Sequence, residues 1–259
     1  MGRISPAVLG LLIANAVFFG VGVLWGRPPG LAHGPLPMEG WFALWFPGND
    51  HFAAWQLVTY MFMHGGLAHI VFNMFALLSF GPPLELTWGR PRFLSFFFVC
   101  GVGAGAIYAA VNWIEFHSLY HRLVQGGIAP SDIQSMLDTG KYVGPFDQPT
   151  LRATMVSLYR IYNGPMVGAS GAIYGVLVAF GLLYPNARLA LMFLPVPIAA
   201  KIFIPILLAL DLFSSVTGFS LFGGGIAHVA HLGGAAIGFL LAWYWRVRPV
   251  RSAASQSFE

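Results

Sequence analysis

Two side chains that can perform hydrolysis lie within apolar stretches of this chain. Ser170 follows Gly168 and Ala169 at the start of one apolar run, and His231 lies inside a later one. Polar side chains at membrane depth are energetically expensive and commonly mark function. A neutral imidazole beside a serine hydroxyl can accept its proton and later return it to a leaving group. The pair therefore predicts a hydrolase that works inside a bilayer.

The glycines around these two residues favour a catalytic interpretation, but a structural one stays open. Gly168 and Gly171 let other backbone approach closely, and N–H groups at a helix start can stabilise an oxyanion. The same pattern suits a plain N-cap or a small residue at a helix crossing. The alternative for His231 is a hydrogen bond between helices. His228 lies one turn earlier, but the glycines that follow His231 favour His231 as the base.

A second polar group lies in the first part of the second apolar run. His69 and Asn73 are four residues apart, hence on one helical face, and both can donate hydrogen bonds to an oxyanion. Each taken alone is better explained by contacts between helices. Tyr174, four residues after Ser170, can pack against His231. Asp211 in the fifth helix could orient His231 as a triad acid, but a partly exposed position near the helix end also explains it. The interpretation adopted is a Ser–His dyad without a third member, and whether Asp211 or His228 assists stays open.

The composition indicates a multi-pass membrane protein. Of the 259 residues, 57% are hydrophobic and only 8% are charged, against roughly 25% charged in soluble proteins. The net charge of +4 forms no basic stripe with interleaved aromatics, which excludes a nucleic-acid partner. Cys100 is the single cysteine, so no disulfide can form within the chain.

Apolar runs bounded by glycine and proline predict an all-α bundle of six membrane helices in a single domain, residues 1–259. The first stretch is interpreted as a retained helix and not a signal peptide. The second is expected to stop at Gly81-Pro82-Pro83. The predicted spans are 6–25, 66–80, 93–113, 170–184, 201–215 and 226–247.

The connections carry further expectations. Residues 41–46 are aromatic but too short to span, and are expected in the membrane interface. Residues 114–167 form a long polar insertion with helix starts near Ser131 and Pro149. Its second helix suits either the membrane surface or ordinary packing against the protein. Residues 186–200 are expected to be a proline-broken connection.

The charges predict an orientation. With both termini cytoplasmic, that side carries eight of the thirteen basic residues: Arg3, Arg90, Arg92, Arg188, Lys201, Arg246, Arg248 and Arg251. The site then opens to the extracytoplasmic side. Because no transit peptide or large cytosolic domain is evident, the expected location is a bacterial plasma membrane.

The combined motifs resemble the rhomboid family of intramembrane serine proteases. The H-x4-H-x3-N pattern of its second helix is present as His64, His69 and Asn73, and its G-x-S-G motif as Gly168 to Gly171. The A-H-x-G-G pattern of its last helix is present as Ala230 to Gly234. The resemblance covers most of the chain, from about residue 55 to residue 245, with one helix before it.

The resemblance implies a function and a set of roles. Ser170 would be the nucleophile and His231 the general base, with Tyr174 stacked on the imidazole. His69, Asn73, Gly168 and the N–H of Ser170 would form the oxyanion hole, supported by His64. The substrates would be single-pass transmembrane proteins, cleaved in the outer part of their helix through an acyl-enzyme. No cofactor or metal would be needed.

The resemblance also implies how substrates enter and whether the chain is active. The fifth helix and residues 214–225 would form a lateral gate. The family often has Trp-Arg in its first loop, where this chain has Trp55-Gln56, which puts one loop contact in doubt. Inactive relatives often have proline before the serine or lack the pair. This chain has Ala169 there and keeps both residues, which predicts activity.

Two other classes of function stay open at this stage. A membrane metallohydrolase could use His64, His69, His228 and His231 as zinc ligands, although no H-E-x-x-H motif is present. A non-enzymatic transporter, channel or membrane-protein binder is the other class, and an inactive rhomboid-like protein is a variant of it.

Overall fold

The computed structural model describes residues 5–25, 37–141, 148–191, 194–217 and 228–247, which fold mainly into helices. In chain order the helices are α1 Pro6–Leu24, α2 Pro37–Phe42, α3 Gln56–Thr59, a 3₁₀ helix Tyr60–Phe62, α4 Leu67–Trp88, α5 Arg90–Gln125, α6 Pro130–Thr139, α7 Pro149–Asn163, α8 Ser170–Leu183, α9 Ala200–Thr217 and α10 His228–Val247. Two strands, β1 Arg188–Leu191 and β2 Leu194–Ala199, lie between α8 and α9.

Helix α8 lies at the centre of the bundle. It packs against α4, α5, α9 and α10, and nearly all of its residues from Gly171 to Phe180 are buried. An apolar run without a polar face is typical of a helix that other helices surround. Ser170 is the first residue of this central helix.

Glycines bring α8 and α10 into backbone contact. A Cβ added at Gly234 would overlap the carbonyl oxygen of Gly171, and one at Gly238 would lie 2.5 Å from the Cα of Gly175. Small residues permit this approach where lipid supplies no hydrophobic drive between helices. Since Gly171 and Gly234 each lie within three residues of Ser170 and His231, the contact also sets the distance between the two functional helices.

The predicted stop of the second membrane helix at Gly81-Pro82-Pro83 is wrong, because α4 continues through both prolines to Trp88. Membrane helices tolerate proline when neighbouring helices hold both sides of the break. Here Leu77 and Leu84, on either side of the prolines, are completely buried.

The extra turns of α4 carry a buried carboxylate, Glu85, that caps the start of α1. Its Oε1 accepts a hydrogen bond of 2.8 Å from the N–H of Ala7, and its Oε2 one of 2.9 Å from the N–H of Val8. The first N–H groups of a helix have no partner within it and favour negative charge. Both carboxylate oxygens of Glu85 are therefore satisfied although the residue is buried.

The predicted end of the third membrane helix is also wrong, since α5 runs unbroken for 36 residues. That length corresponds to about 54 Å, against roughly 30 Å for a bilayer core. The drop in hydropathy after Trp113 predicts the end of the helix, but polar residues can continue a helix beyond the membrane. Much of the polar insertion is thus the far end of α5 together with α6 and α7.

This outer part has a small hydrophobic core of its own. Helices α6 and α7 begin close to the predicted starts and pack beside the extension of α5. The sequence allowed α7 to lie on the membrane surface or to pack against the protein, and its buried face packs against the protein. The buried residues are Leu119, Leu123, Ile128, Ile133, Met136, Leu137, Met155 and Leu158.

The structure defines two shorter segments. Within the aromatic segment 41–46, residues 43–46 are buried by protein and Trp41 is exposed, and Phe46 stacks on Trp113 of α5 at 5.6 Å between ring centroids. Its place in the membrane interface stays a prediction. The connection 186–200 contains the antiparallel hairpin β1–β2, in which Arg188 pairs with Ala199. The sequence did not predict this hairpin, because a short, continuously apolar run shows neither helical nor alternating periodicity.

Within the described ranges, four helices are long and apolar enough to cross a membrane: α1, α4, α5 and α9. The remaining two helices of the predicted six are α8, with 14 residues, and α10, which includes polar histidines. All six predicted helices are present, although α4 and α5 continue well beyond their predicted ends, and the count of six spans stays a prediction.

Candidate active site

Ser170 and His231 are in hydrogen-bonding contact. The Oγ of Ser170 at the start of α8 lies 2.8 Å from the Nε2 of His231 in the first turn of α10. The close backbone packing of α8 and α10 brings the two helix starts together. A hydroxyl and an imidazole at this separation can transfer a proton without rearrangement.

Gly168 has a conformation and surroundings that only glycine suits. Its φ is +121°, and an added Cβ would lie 2.6 Å from the Nε2 of His69 and 3.7 Å from the Oγ of Ser170. The left-handed region is unfavourable for residues with a Cβ. The position therefore brings bare backbone against both His69 and the serine.

Two backbone contacts hold the segment that leads into α8. Leu44 and Met166 exchange both of their N–H···O hydrogen bonds, at 2.9 and 2.8 Å. The N–H of Gly168 donates to the carbonyl of Tyr60 at 2.9 Å, and the Tyr60 hydroxyl donates to the carbonyl of Gly101 at 2.8 Å. Tyr60 was not among the residues that the sequence analysis selected, since one tyrosine in an aromatic stretch carries no distinguishing pattern.

The three residues of the second-helix motif lie near the serine at different levels. His69 is against Gly168. Asn73, one turn along α4, is buried and donates from its side chain to the carbonyl of His69 at 3.1 Å. His64 precedes α4, and its ring packs edge-on against that of His69 at 5.0 Å. Burial, with the neighbouring His69, lowers the pKa of His64 to about 4, so His64 is neutral at physiological pH.

Donors for an oxyanion are available at the start of α8. The first hydrogen bond within this turn runs from the N–H of Ile173 to the carbonyl of Ala169 at 3.0 Å. The preceding N–H groups, including that of Ser170, have no acceptor within the helix. They face the same end of the bundle as Gly168 and His69.

Tyr174 stacks on the imidazole of His231, with ring centroids 4.2 Å apart and planes inclined by 12°. It lies one turn after Ser170 on α8. The stack restricts rotation of the imidazole about its side-chain bonds and keeps Nε2 directed at the serine.

Asp211 differs most from its sequence interpretation. It was expected to be partly exposed, yet only 6% of its surface is accessible. It is hydrogen-bonded to Nδ1 of His228, and its Oδ2 lies 3.4 Å from Nδ1 of His231. The error came from judging exposure by distance from the helix end, whereas burial depends on which face of α9 the residue occupies. The angular position, one heptad after the buried Ile204, is the signal that could have found it.

The structure divides the four histidines considered as zinc ligands. Among the described residues, the one group of three potential ligand side chains is Asp211, His228 and His231, with ligand atoms within 4.8 Å of one another. His64 and His69 do not belong to it. Within that group, His228 and Asp211 are hydrogen-bonded to each other and Nε2 of His231 contacts the serine, so these atoms already have partners.

Gln56, which occupies the place of a family arginine, holds the first loop together. It is completely buried, its Oε1 accepts from the N–H of Trp45 at 3.2 Å, and its Nε2 donates to the carbonyl of His51 at 2.7 Å. The expected gate includes residues 218–225, which lie outside the described part of the chain.

Comparison with known families gives a match along most of the chain. A family model described as the Rhomboid domain matches residues 51–115 and 148–248. The stretch between the two matched segments, 116–147, contains the outer end of α5 and all of α6.

Curated relatives match over most of this chain at low identity. It is 26% identical to Rhomboid protein 1, mitochondrial, of Saccharomyces cerevisiae, covering 93% of this chain and 63% of the relative. It is 28% identical to the mouse Presenilin-associated rhomboid-like protein, mitochondrial, covering 92% and 47%. It is also 28% identical to RHOMBOID-like protein 12, mitochondrial, of Arabidopsis thaliana, covering 91% and 57%. The chain thus spans about half to two thirds of the length of these relatives.

These relatives contradict the predicted location. All three are named as mitochondrial proteins, which conflicts with a bacterial plasma membrane. The expectation rested on the lack of a recognisable transit peptide, which is weak information about location. The membrane-embedded helices themselves are supported.

Proposed function

The chain belongs to the rhomboid family, and from this premise we propose that it is an intramembrane serine endopeptidase. Ser170 is the nucleophile and His231 the general base. The observation that carries the proposal is the 2.8 Å contact between Oγ and Nε2, made beside a glycine whose backbone lies against His69.

The reaction follows from these positions. The Oγ of Ser170 attacks the peptide carbonyl carbon while its proton passes to Nε2 of His231. The tetrahedral intermediate collapses as Nε2 protonates the leaving nitrogen, the C–N bond breaks and an ester to Ser170 remains. Water then attacks the ester, gives its proton to Nε2, and the serine recovers that proton as the acid leaves.

The carbonyl oxygen becomes negative in both tetrahedral intermediates. The free N–H of Ser170 and the side chains of His69 and Asn73 are the proposed donors, and the backbone of Gly168 lines the same space. Donors of this kind act most strongly where water is largely excluded. His64, neutral at physiological pH, supports the ring of His69.

The depth of the site explains how it can cut within a membrane. Helix α8 has 14 residues and so spans about 21 Å, less than the roughly 30 Å of a bilayer core. At least one of its ends must therefore lie below the surface. Water must reach the serine through a cavity lined by α4, α8 and α10.

The proposed substrates are single-pass transmembrane proteins. A substrate helix must unwind before a carbonyl can reach Ser170, and glycine near the cut lowers the energy needed by about 1 kcal/mol per residue. Helix α9, whose outward residues include the exposed Leu212 and Phe213, is the proposed entry side.

The test uses the full chain reconstituted in lipid vesicles and a fluorescent fluorophosphonate that reacts with activated serines. We expect wild type to label, and Ser170→Ala and His231→Ala to lose at least about a thousandfold in rate, as in other serine hydrolases. Matched controls are Ser79→Ala and His117→Ala, whose side chains bond only to carbonyls of their own helices. Both should label as wild type does.

Proteolysis is measured separately with single-pass peptides in the same vesicles. A peptide with glycine and alanine near the outer end of its helix should be cut, and the same peptide with leucine there should not. Absence of labelling in folded wild type would indicate an inactive rhomboid-like binder. Labelling without cleavage of any peptide would leave a serine hydrolase and overturn the assignment as an endopeptidase.

A further inference from the structure

A carboxylate is placed behind the imidazole of His231, on the side away from the serine. Asp211 contacts His231 through Nδ1, at 3.4 Å from Oδ2 and 3.5 Å from Oδ1, while Nε2 of the same ring contacts Ser170. The carboxylate, the imidazole and the hydroxyl therefore lie in sequence across three helices: α9, α10 and α8.

Asp211 is the inward-facing acid of α9, a helix whose other residues are largely exposed. Its neighbours Leu212 and Phe213 are more than half exposed, whereas Ile204, Asp211 and Ser214 share a buried face at helical spacing. A carboxylate in such a segment is costly unless it is paired or functional. The face that α9 presents to the bundle is thus where the acid meets the two histidines.

One oxygen of this carboxylate has no hydrogen-bond partner among the described residues. Oδ1 accepts from Nδ1 of His228, while Oδ2 is buried and unsatisfied, although it is the oxygen nearer to Nδ1 of His231. Buried acceptors without a partner are rare and call for an explanation. In free enzymes, hydrogen bonds used in catalysis are often long and shorten when substrate or a developing charge is present.

We propose that Asp211 is a positioning residue for the reaction proposed above, on which this inference rests. It accepts a hydrogen bond from the Nδ1–H of His231 and so keeps the lone pair of Nε2 directed at Ser170. His228 acts through Asp211 by fixing the carboxylate with its own Nδ1–H. The site is a Ser–His pair completed by an acid, with a second histidine behind the acid.

The arrangement stabilises the imidazole when it carries the proton taken from Ser170. Among the residues that the structure describes, the charged and titratable groups facing Asp211 are His228 and His231 from α10 and the hydroxyl of Tyr174 from α8. His69 of α4 faces His231 from the other side. Asp211 is the one anion in this set, so it alone attracts the protonated imidazole.

A structural role makes different predictions from a positioning role. If Asp211 only fastened α9 to α10, its loss would loosen the entry side, lower the stability and change the affinity for a probe. If it positions His231, its loss slows the chemical step and leaves probe affinity unchanged. The isosteric Asp211→Asn keeps hydrogen bonding between the helices, but its amide can donate to Nδ1 and favour the wrong tautomer.

The experiment measures fluorophosphonate labelling of the full chain in vesicles over a range of probe concentrations, which separates the maximal rate from the probe affinity. For Asp211→Asn we expect the maximal rate to fall by about 10- to 100-fold, less than for an acid in short contact with its histidine. The affinity should stay within about twofold, and half-inactivation on heating within a few degrees of wild type. His228→Gln should lose less than about tenfold, since His231 keeps its carboxylate.

The double variant sharpens the assignment. Because His228 acts only through the carboxylate, Asp211→Asn with His228→Gln should be no slower than Asp211→Asn alone. An additive loss would overturn the role of His228, and an unchanged maximal rate in Asp211→Asn would overturn the role of Asp211. Wild-type labelling that an added chelator abolishes would reassign the three residues to a metal site. Since wild-type labelling is measured first, failure of the proposed function is distinguished from failure of this inference.

Discussion

Two buried carboxylates lie toward opposite ends of this bundle and have opposite hydrogen-bonding states. Glu85 accepts two backbone hydrogen bonds from the start of α1, one on each oxygen. Asp211 has one oxygen bonded to His228 and the other unsatisfied beside His231. Sixteen residues of α4, about 24 Å of helix, separate Glu85 from His69 at the site.

The difference indicates what each acid contributes. A fully satisfied carboxylate at a helix start lowers the energy of the folded state and has no capacity left for another partner. An incompletely satisfied one retains capacity that a protonated imidazole can use. Burial alone therefore does not separate structural from functional acids, whereas the satisfaction of each oxygen does.

The largest effect is expected from a substitution that disturbs the packing of α8 against α10, near Ser170 and His231. Gly234→Ala would place a methyl group onto the carbonyl of Gly171, which backbone cannot avoid without moving Ser170. We expect a loss of about 3 kcal/mol or more in unfolding free energy, together with loss of labelling. The measurement is labelling at increasing temperature. Gly10→Ala, with open space around the position, is the matched control and should behave as wild type.

The next largest effect is expected at the satisfied carboxylate. Glu85→Ala would leave the buried N–H groups of Ala7 and Val8 without acceptors, at a cost of about 2–4 kcal/mol. The temperature of half-inactivation should fall, while the maximal labelling rate per folded molecule stays at the wild-type value. A slower maximal rate at low temperature would show that the two ends of the bundle are not independent.

The smallest effect concerns His64, a buried residue near Ser170 that is expected to change the pH dependence of stability and not the chemical step. Its pKa is lowered from 6.5 to about 4 by burial and by His69, so the folded state binds this proton less readily than the unfolded state. Its contribution to stability is complete above about pH 6.5 and is lost as pH falls towards 4.

Half-inactivation temperatures measured from pH 7 to pH 4 test this expectation. His64→Gln should make the curve shallower, because the glutamine does not titrate. A curve as steep as that of wild type would assign the acid sensitivity to another group.

The sequence predicted helices better where apolar runs end at glycine or proline. The bounds of α1, α8 and α9 agree with the predicted spans to within about two residues, because their flanking residues disfavour helix. The end of α4 was missed because packing of Leu77 and Leu84 overrides the local effect of two prolines. The end of α5 was missed because hydropathy reports on the membrane boundary and not on the helix end.

The sequence predicted those site residues that are marked by a short motif within one helix. His69, Gly168, Tyr174 and the pair itself come together, since glycines mark the close approach of α8 and α10. Their catalytic roles remain predictions. The contacts of Tyr60 depend on how separate elements are oriented, and no pattern in its own segment expresses that orientation. For Asp211, the spacing from Ile204 indicates the buried face of α9 but not which residues meet it there.

The unbroken α5 has a consequence for cooperativity. One helix belongs to two hydrophobic cores, the larger around α8 and the smaller between the outer end of α5, α6 and α7. Two cores joined by one helix are expected to unfold locally with different free energies, so a single free energy of unfolding does not describe this protein. Thermal inactivation measured by labelling of Ser170 reports on the larger core. Unfolding of the smaller core would not be detected in that measurement as long as Ser170 still reacts.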